Sequence, residues 1–279
     1  MRNNQNRFGA KEQAPQAPTE APGLKFVRPT EFITLPSGGS YPEGHPLHGQ
    51  ETIEIYFMTA KDEDILSSEQ LLKKGLAIER FMENIIVDKR ISPSSMYSGD
   101  RNAMIIAARS SGYGNAYETQ VSCPNCQAKS KHVFDLDNPI IKESIESEED
   151  NMVRTEDGYF QTTMPASKYK VKFRLLTGKD EMAMVSEKLA KKKTRIKGLT
   201  KTVTGHFKKI IVSVEGYSET SLINQFVDTM LSSDSFHLKK CYRIANPNVE
   251  IKSDFECESC GHQQELEVPL NADFFWPDS

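Results

Sequence analysis

Four of the five cysteines in this 279-residue chain come as two matching pairs, Cys123-Pro124-Asn125-Cys126 and Cys257-Glu258-Ser259-Cys260. A Cys-x-x-Cys turn sets two thiolates on one side of a hairpin, where backbone N–H groups steady the sulfurs, and Zn²⁺ takes four such ligands in a tetrahedron. One pair is only a half-site. Two pairs complete the set, and predict a structural Zn²⁺ held by Cys123, Cys126, Cys257 and Cys260. A redox reading needs the pair at a helix N-terminus, where the dipole lowers a thiol pKa. A metalloenzyme needs three protein ligands and an open position for water. His132 and His262 stand near the cysteines as substitutes should one pair be displaced; Cys241, between Lys240 and Tyr242, reads as a small packing residue.

The elements that would carry these pairs are strands. Alternating residues precede each pair (Tyr117, Thr119, Val121; Val249, Ile251, Phe255) and apolar segments follow it (133–136; 266–270). That pattern reads as strand, tight turn and returning strand. The wide separation of the pairs is explained by a second regularity. Met58-Thr59-Ala60-Lys61-Asp62-Glu63 resembles Leu176-Thr177-Gly178-Lys179-Asp180-Glu181, each after an alternating strand (53–57; 170–175) and each before helical periodicity. The order strand, helix, hairpin therefore occurs twice. The expected fold is α+β: two diverged tandem repeats, each helical with a Cys-x-x-Cys β-hairpin, the hairpins converging across a pseudo-twofold on one zinc-ribbon-like site.

This gives a division into residues 1–23, a tail; 24–138, the first repeat with an N-terminal docking segment; 139–158, an acidic linker; and 159–279, the second repeat with a C-terminal segment. The tail is Asn, Gln, Pro, Ala and Glu with scarcely a large apolar side chain, too little to offset its ordering entropy, so disorder in isolation is expected. The linker, with Glu143, Glu146, Glu148, Glu149 and Asp150, reads as exposed.

A net charge of −4 argues against a general nucleic-acid binder, and no apolar run has the length of a membrane helix. The polar N-terminus shows no secretory segment, so a reducing cytoplasm is expected, where paired cysteines bind metal rather than form disulfides. The one basic run, Lys188, Lys191, Lys192, Lys193, Arg195, Lys197 and Lys201, lacks the interleaved aromatics that stacking on single strands needs; a solvated helix face or an acidic protein partner fits it better. A zinc-ribbon nucleic-acid adaptor would use this run on phosphates and would show steep salt dependence.

Along the chain, Gly38-Gly39 lacks the Gly-Lys-Ser/Thr of a phosphate loop and reads as a turn or docking loop. Helices are expected from Thr59 as cap, over 69–86, over 100–109 with Asp100 as cap, and over 206–214, 219–231 and 235–244. Asp100, Arg101 and Arg109 have no nucleophile or base beside them in sequence, so cap and ion-pair roles are expected and no catalytic residue or small-molecule substrate is assigned.

Several stretches together, residues 35–42 (Leu-Pro-Ser-Gly-Gly-Ser-Tyr-Pro), 58–66, 98–103 (Ser-Gly-Asp-Arg-Asn-Ala), 109–114, the first cysteine pair and 269–277 (Pro-Leu-Asn-Ala-Asp-Phe-Phe-Trp-Pro), resemble one family. It is the baseplate hub subunit and hub-assembly proteins of large contractile-tailed bacteriophages of the T-even type. The resemblance runs from about Phe32 to Pro277. It implies a non-enzymatic role in building the central hub of the tail baseplate, as a subunit or as a transient assembly chaperone absent from the virion. The implied partners are other phage baseplate hub proteins. The implied setting is the host cytoplasm during assembly, and the virion tail baseplate for a retained subunit. Zinc is no part of the resemblance; it rests on the four cysteines.

Overall fold

The structure is a computed structural model that describes residues 27–193, 202–268, 270 and 272–275. The expected tail (1–23), Arg195, Lys197, Lys201 and Trp276-Pro277 lie outside the described residues. The fold is mixed α+β, with small antiparallel sheets and helices around one continuous apolar core.

Strand β1 (Thr30–Thr34) pairs with β2 (Thr52–Tyr56), Ile33 opposite Ile53. Helix α1 (Ala60–Ser67) follows, and Thr59 caps it as expected: its N–H and hydroxyl both donate to Asp62 Oδ2, at 2.8 and 2.7 Å. Asp62 also receives Arg28 at 2.6 Å and the Asn84 amide at 2.5 Å, so this buried carboxylate ties the N-terminal segment to the helices.

The helix expected over 69–86 is two helices, α2 (Glu69–Lys74) and α3 (Ala77–Ile85). Gly75 breaks it at φ 69°, and the bonds from Gly75 N to Leu72 O and from Leu76 N to Leu71 O form a left-handed C-terminal cap. The break lets α3 turn Phe81, Met82 and Ile85 fully into the core while Leu72 of α2 stays partly exposed.

Helix α4 (Ser98–Tyr113) is longer than expected and includes Gly112, ending at Gly114. Its first turn packs so close to the Pro247 backbone that only glycine fits at position 99, where a Cβ would lie 1.9 Å from Pro247 O. From α4 the chain enters the first hairpin, β3 (Ala116–Ser122) with β4 (Lys129–Asp135).

Residues 139–158 are largely exposed, yet they are tied to the body. β5 (Ile140–Lys142) pairs with β10 (Asn248–Glu250), and buried Asp150 accepts Lys240 at 2.8 Å. A four-stranded sheet follows, in the order β6 (Val153–Arg154), β7 (Phe160–Thr163), β8 (Lys170–Phe173), β9 (Ile211–Val214). Residues 206–214 were expected to be helical. Instead α6 (Thr202–Ile210) stops and β9 begins, because Ile211-Val212-Ser213-Val214, three of them β-branched, gains both a free edge on β8 and an apolar face for its side chains. Helix α5 (Gly178–Lys193) carries the start of the basic run. Helices α7 (Thr220–Thr229) and α8 (Ser232–Ala245) lead to β10, then to the second hairpin, β11 (Lys252–Glu256) with β12 (Gln263–Glu267).

The C-terminal segment returns to the other end of the chain. Phe274 and Phe275, in a 3-10 turn (Ala272–Phe275), are fully buried against Tyr117 and Phe81, with ring centroids 4.8 and 4.9 Å apart.

Candidate metal centre

Each cysteine pair sits in a hairpin turn built by its own backbone. Cys123 N donates to Ala128 O (2.8 Å) and Gln127 N to Cys123 O (2.9 Å); Cys257 N donates to His262 O (2.9 Å) and Gly261 N to Cys257 O (2.8 Å). The residue after the second cysteine is left-handed in both, Gln127 at φ 61° and Gly261 at φ 66°. Two turns of one geometry thus present two sulfurs each, although more than a hundred residues separate them in sequence.

Tertiary packing brings them together. Strand β4 lies beside β11, with His132 Nε2 3.0 Å from Ser253 Oγ and the His132 ring edge-on to Phe134 and Phe255. The four sulfurs all lie within 4.8 Å of one another, with Cys126 to Cys257 at 3.6 Å and Cys123 to Cys260 at 3.8 Å. A Zn–S bond of about 2.3 Å puts neighbouring sulfurs of a regular tetrahedron about 3.8 Å apart, so the cluster has the size of a Zn²⁺ shell. Cys123 and Cys257 are buried, capped by Phe255 with Val121, Ala128 and Leu266 around them, while Cys126 and Cys260 are exposed. Neither His132 nor His262 joins the sulfurs: the first bonds to Ser253 and the second lends its backbone.

The thiols are electrostatically unequal. The backbone N–H of His262 and then the Asn125 amide, 3.6 Å from the sulfur, bring Cys260 down to about 6. At Cys126 the N–H of Ala128 works in the same sense, but the neighbouring sulfurs outweigh it and push the thiol up to about 12. Cys260 is thus the more readily ionised of the two exposed thiols, and a cation would have to displace the proton of Cys126. Four thiolates close the coordination shell, so the metal would contribute folding energy and geometry rather than an open site for chemistry.

The other residues singled out in the sequence have structural partners. Asp100 does not cap α4; Tyr97 holds that position. Asp100 is instead buried and accepts the N–H and hydroxyl of Ser37 (2.9 and 2.7 Å) and the Tyr41 hydroxyl (2.6 Å). Burial raises its pKa while those donors pull it back, and Tyr41 is raised by burial and by the Asp100 charge. The loop at 35–42 is thus docked on α4 by its own polar groups. The Gly38 and Gly39 N–H groups are taken by Leu35 O and Ser37 Oγ, which leaves them no phosphate to cradle. Arg101 pairs with Glu79 (2.8 Å) and Glu181 (3.3 Å), joining the first part of the chain to α5. Arg109 is buried, donates to Phe274 O (3.1 Å) and to Gly114 O, and lies over the Tyr113 and Tyr117 rings.

One cluster was legible in the sequence only in part. Cys241 is fully buried, its sulfur 3.4 Å from His237 Nε2, and that nitrogen is 2.9 Å from Thr162 Oγ1. Burial pushes the Cys241 thiol up, against the activation a nucleophile needs. His237 and Cys241 stand four apart on one helix and were visible as such, but Thr162 and Asp150 reach them only through the fold.

The chain has no match among curated proteins or among solved structures. The family model described as T4 bacteriophage base plate protein matches residues 29–276, and the chain belongs to that family.

Proposed function

We propose that the protein is a non-enzymatic component in the building of the baseplate's central hub, either as a hub subunit or as an assembly factor, with other hub proteins as its partners. The family match over residues 29–276 supports a structural or assembly role in the baseplate. The single observation that carries the mechanism is the meeting of two distant hairpins at four sulfurs spaced as a Zn²⁺ shell.

In this reading Cys123, Cys126, Cys257 and Cys260 bind a structural Zn²⁺ that clamps the two hairpins, and with them the two diverged halves of the chain, into one relative orientation. A rigid orientation serves a scaffold, because docking surfaces on separate halves then meet their partners without a further ordering cost. Assembly takes place in the host cytoplasm, and a retained subunit resides in the tail baseplate.

Three measurements test this. Metal analysis of the purified protein should give one zinc per chain; freely titrating thiols without metal would remove the clamp. In infected cells, Cys126→Ser and Cys260→Ser should lower solubility and hub assembly together, and wild-type assembly in both variants would overturn the role of the site. The presence of the protein in purified tails marks a subunit, and its absence an assembly factor.

A further inference from the structure

The proposed metal shell is also a pair of preformed dithiols, and the pairs run across the hairpins. Two sulfur contacts, Cys126 to Cys257 at 3.6 Å and Cys123 to Cys260 at 3.8 Å, each link an exposed cysteine of one turn to a buried cysteine of the other. A disulfide needs the sulfurs about 2.05 Å apart, so each has to move by less than about 1 Å to bond its partner. The backbone of each turn is pinned by its own hydrogen bonds at both the first cysteine and the fourth residue after it, so the movement falls on the side chains.

We propose that oxidation by a peroxide converts the site from a metal clamp to a covalent one, with crossed disulfides Cys126–Cys257 and Cys123–Cys260 that keep the two hairpins joined after the metal leaves. This rests on the reading of the four cysteines as a metal site.

The chemistry balances for each pair. The exposed thiolate, on Cys126 or Cys260, attacks one peroxide oxygen; the O–O bond breaks, a sulfenic acid forms and the departing hydroxide takes a proton to become water. The buried thiolate of the facing turn then attacks the sulfenic sulfur, the S–S bond forms, and the second hydroxide leaves as water after protonation. Two sulfurs are oxidised by one electron each and one peroxide is reduced to two waters. Two such events consume all four ligands and free the cation. Ordinary oxidation of a Cys-x-x-Cys pair would instead close a small ring within each turn and leave the hairpins unlinked. Crossed bonds close loops of well over a hundred residues, and so hold the junction in the absence of metal.

The experiment uses the full chain with its zinc content measured first. Hydrogen peroxide is added in steps, released zinc and remaining thiols are counted, and a non-reduced digest is analysed by mass spectrometry. The expected result is loss of four thiols per zinc released, with peptides from residues around 123–126 linked to peptides from around 257–260. The variant Cys123→Ser/Cys260→Ser, which keeps the pair Cys126 and Cys257, should still cross-link the hairpins. Cys123→Ser/Cys257→Ser, which keeps the two exposed cysteines, should cross-link more slowly. Disulfides confined to single turns, or zinc release that ends in sulfinic acids, would overturn the proposal, and the wild-type digest decides this even where a variant fails to fold. Crossed links in protein that never held metal would overturn the metal reading while leaving the pairing intact. Bound zinc with thiols that resist peroxide would overturn the switch alone.

Discussion

In the first hairpin, β3–β4, seven residues of each strand are paired, and two aromatics within that stretch, Tyr117 and Phe134, are buried in the main core beside Phe274. In the second, β11–β12, five are paired, and the buried side chain within the stretch is Phe255, which packs on Cys123 and Cys257 rather than on the main core. Its base, Ile251 and Val268, reaches the main core, and half-buried Leu266 of β12 packs on both. The exposed faces differ as well. Glu118 of the first hairpin is bridged by Lys131; in the second, Lys252 bridges Glu265 at 3.3 Å, but Asp254 stands directly opposite that same glutamate. The turns are alike and the supports are not. The first hairpin buries two aromatics in the main core, and the second buries its one aromatic against the sulfur cluster.

The sharpest way to break this comparison is to remove the Zn²⁺ proposed for the four cysteines. Structural zinc sites contribute about 10 kcal/mol or more at neutral pH in small domains, so chelation should have the largest effect of any change. Amide exchange should rise strongly over Lys252–Glu267 and little at the base of Ala116–Asp135. Equal protection in both hairpins after chelation would remove the distinction. Acid should act in the same direction. Metal binding must displace protons, including that of Cys126, held up at about 12, so retention falls as the pH falls, and a pH titration of bound zinc reads it.

Next in size is a pair of truncations. Phe134→Ala should cost about 3–5 kcal/mol of global stability, as expected for a large aromatic deleted from a main core. Phe255→Ala should change thermal unfolding less and metal retention more. Denaturant melts paired with zinc competition separate the two, and identical profiles would mean that both hairpins share one support.

The turns themselves offer a smaller test. At φ 66° Gly261 is in a conformation that other residues resist, and a Cβ there meets no neighbour, so Gly261→Ala should cost about 1–2 kcal/mol through the backbone alone. At the equivalent position Gln127 already bears that strain, and Gln127→Gly should be neutral or stabilising by up to about 1 kcal/mol. Opposite signs in a thermal shift assay confirm that the turns are equivalent. The smallest effect is expected from Asp254→Lys, which replaces a like-charged cross-strand pair by an opposite one and should gain about 0.2–1 kcal/mol, most of it in the chelated protein and at low salt.

The same contrast between local likeness and different setting runs through the two halves. Thr177 donates its N–H and hydroxyl to Asp180 Oδ2, both at 3.0 Å, much as Thr59 does to Asp62, and an arginine meets each carboxylate, Arg174 at 2.7 Å and Arg28 at 2.6 Å. Arg174 and the Thr177 N–H draw the Asp180 carboxyl down to about 2 against the opposing effect of its burial. Yet β2 belongs to a two-stranded sheet and β8 to the interior of a four-stranded one.

Features fixed within a few residues were legible in the sequence. The two cysteine turns, the Thr-x-x-Asp caps, the alternation of the strands around the cysteines and the mixed α+β class follow from short-range hydrogen bonds and side-chain period, which do not depend on the rest of the fold. Where the sequence misled, a tertiary partner had changed the local balance. Asp100 had the form of a cap but was taken by Ser37 and Tyr41, some sixty residues away. Residues 211–214 had helical neighbours but found an open edge on β8. Gly75 lay inside an apolar period and ended it, because a left-handed cap let α3 turn its face to the core.

The sequence by itself determined which four sulfurs could bind a cation and that each pair would stand at the tip of a hairpin. The sequence also led to the expectation that the two tips converge, and the four sulfurs do cluster; only the tertiary structure decided which packing brings them there, which sulfurs touch across the hairpins, and that Phe274 and Phe275 close back on Tyr117 and Phe81. Those contacts join segments more than a hundred residues apart, and their geometry is set by how the core packs around α4, a many-body outcome that no spacing within the chain encodes.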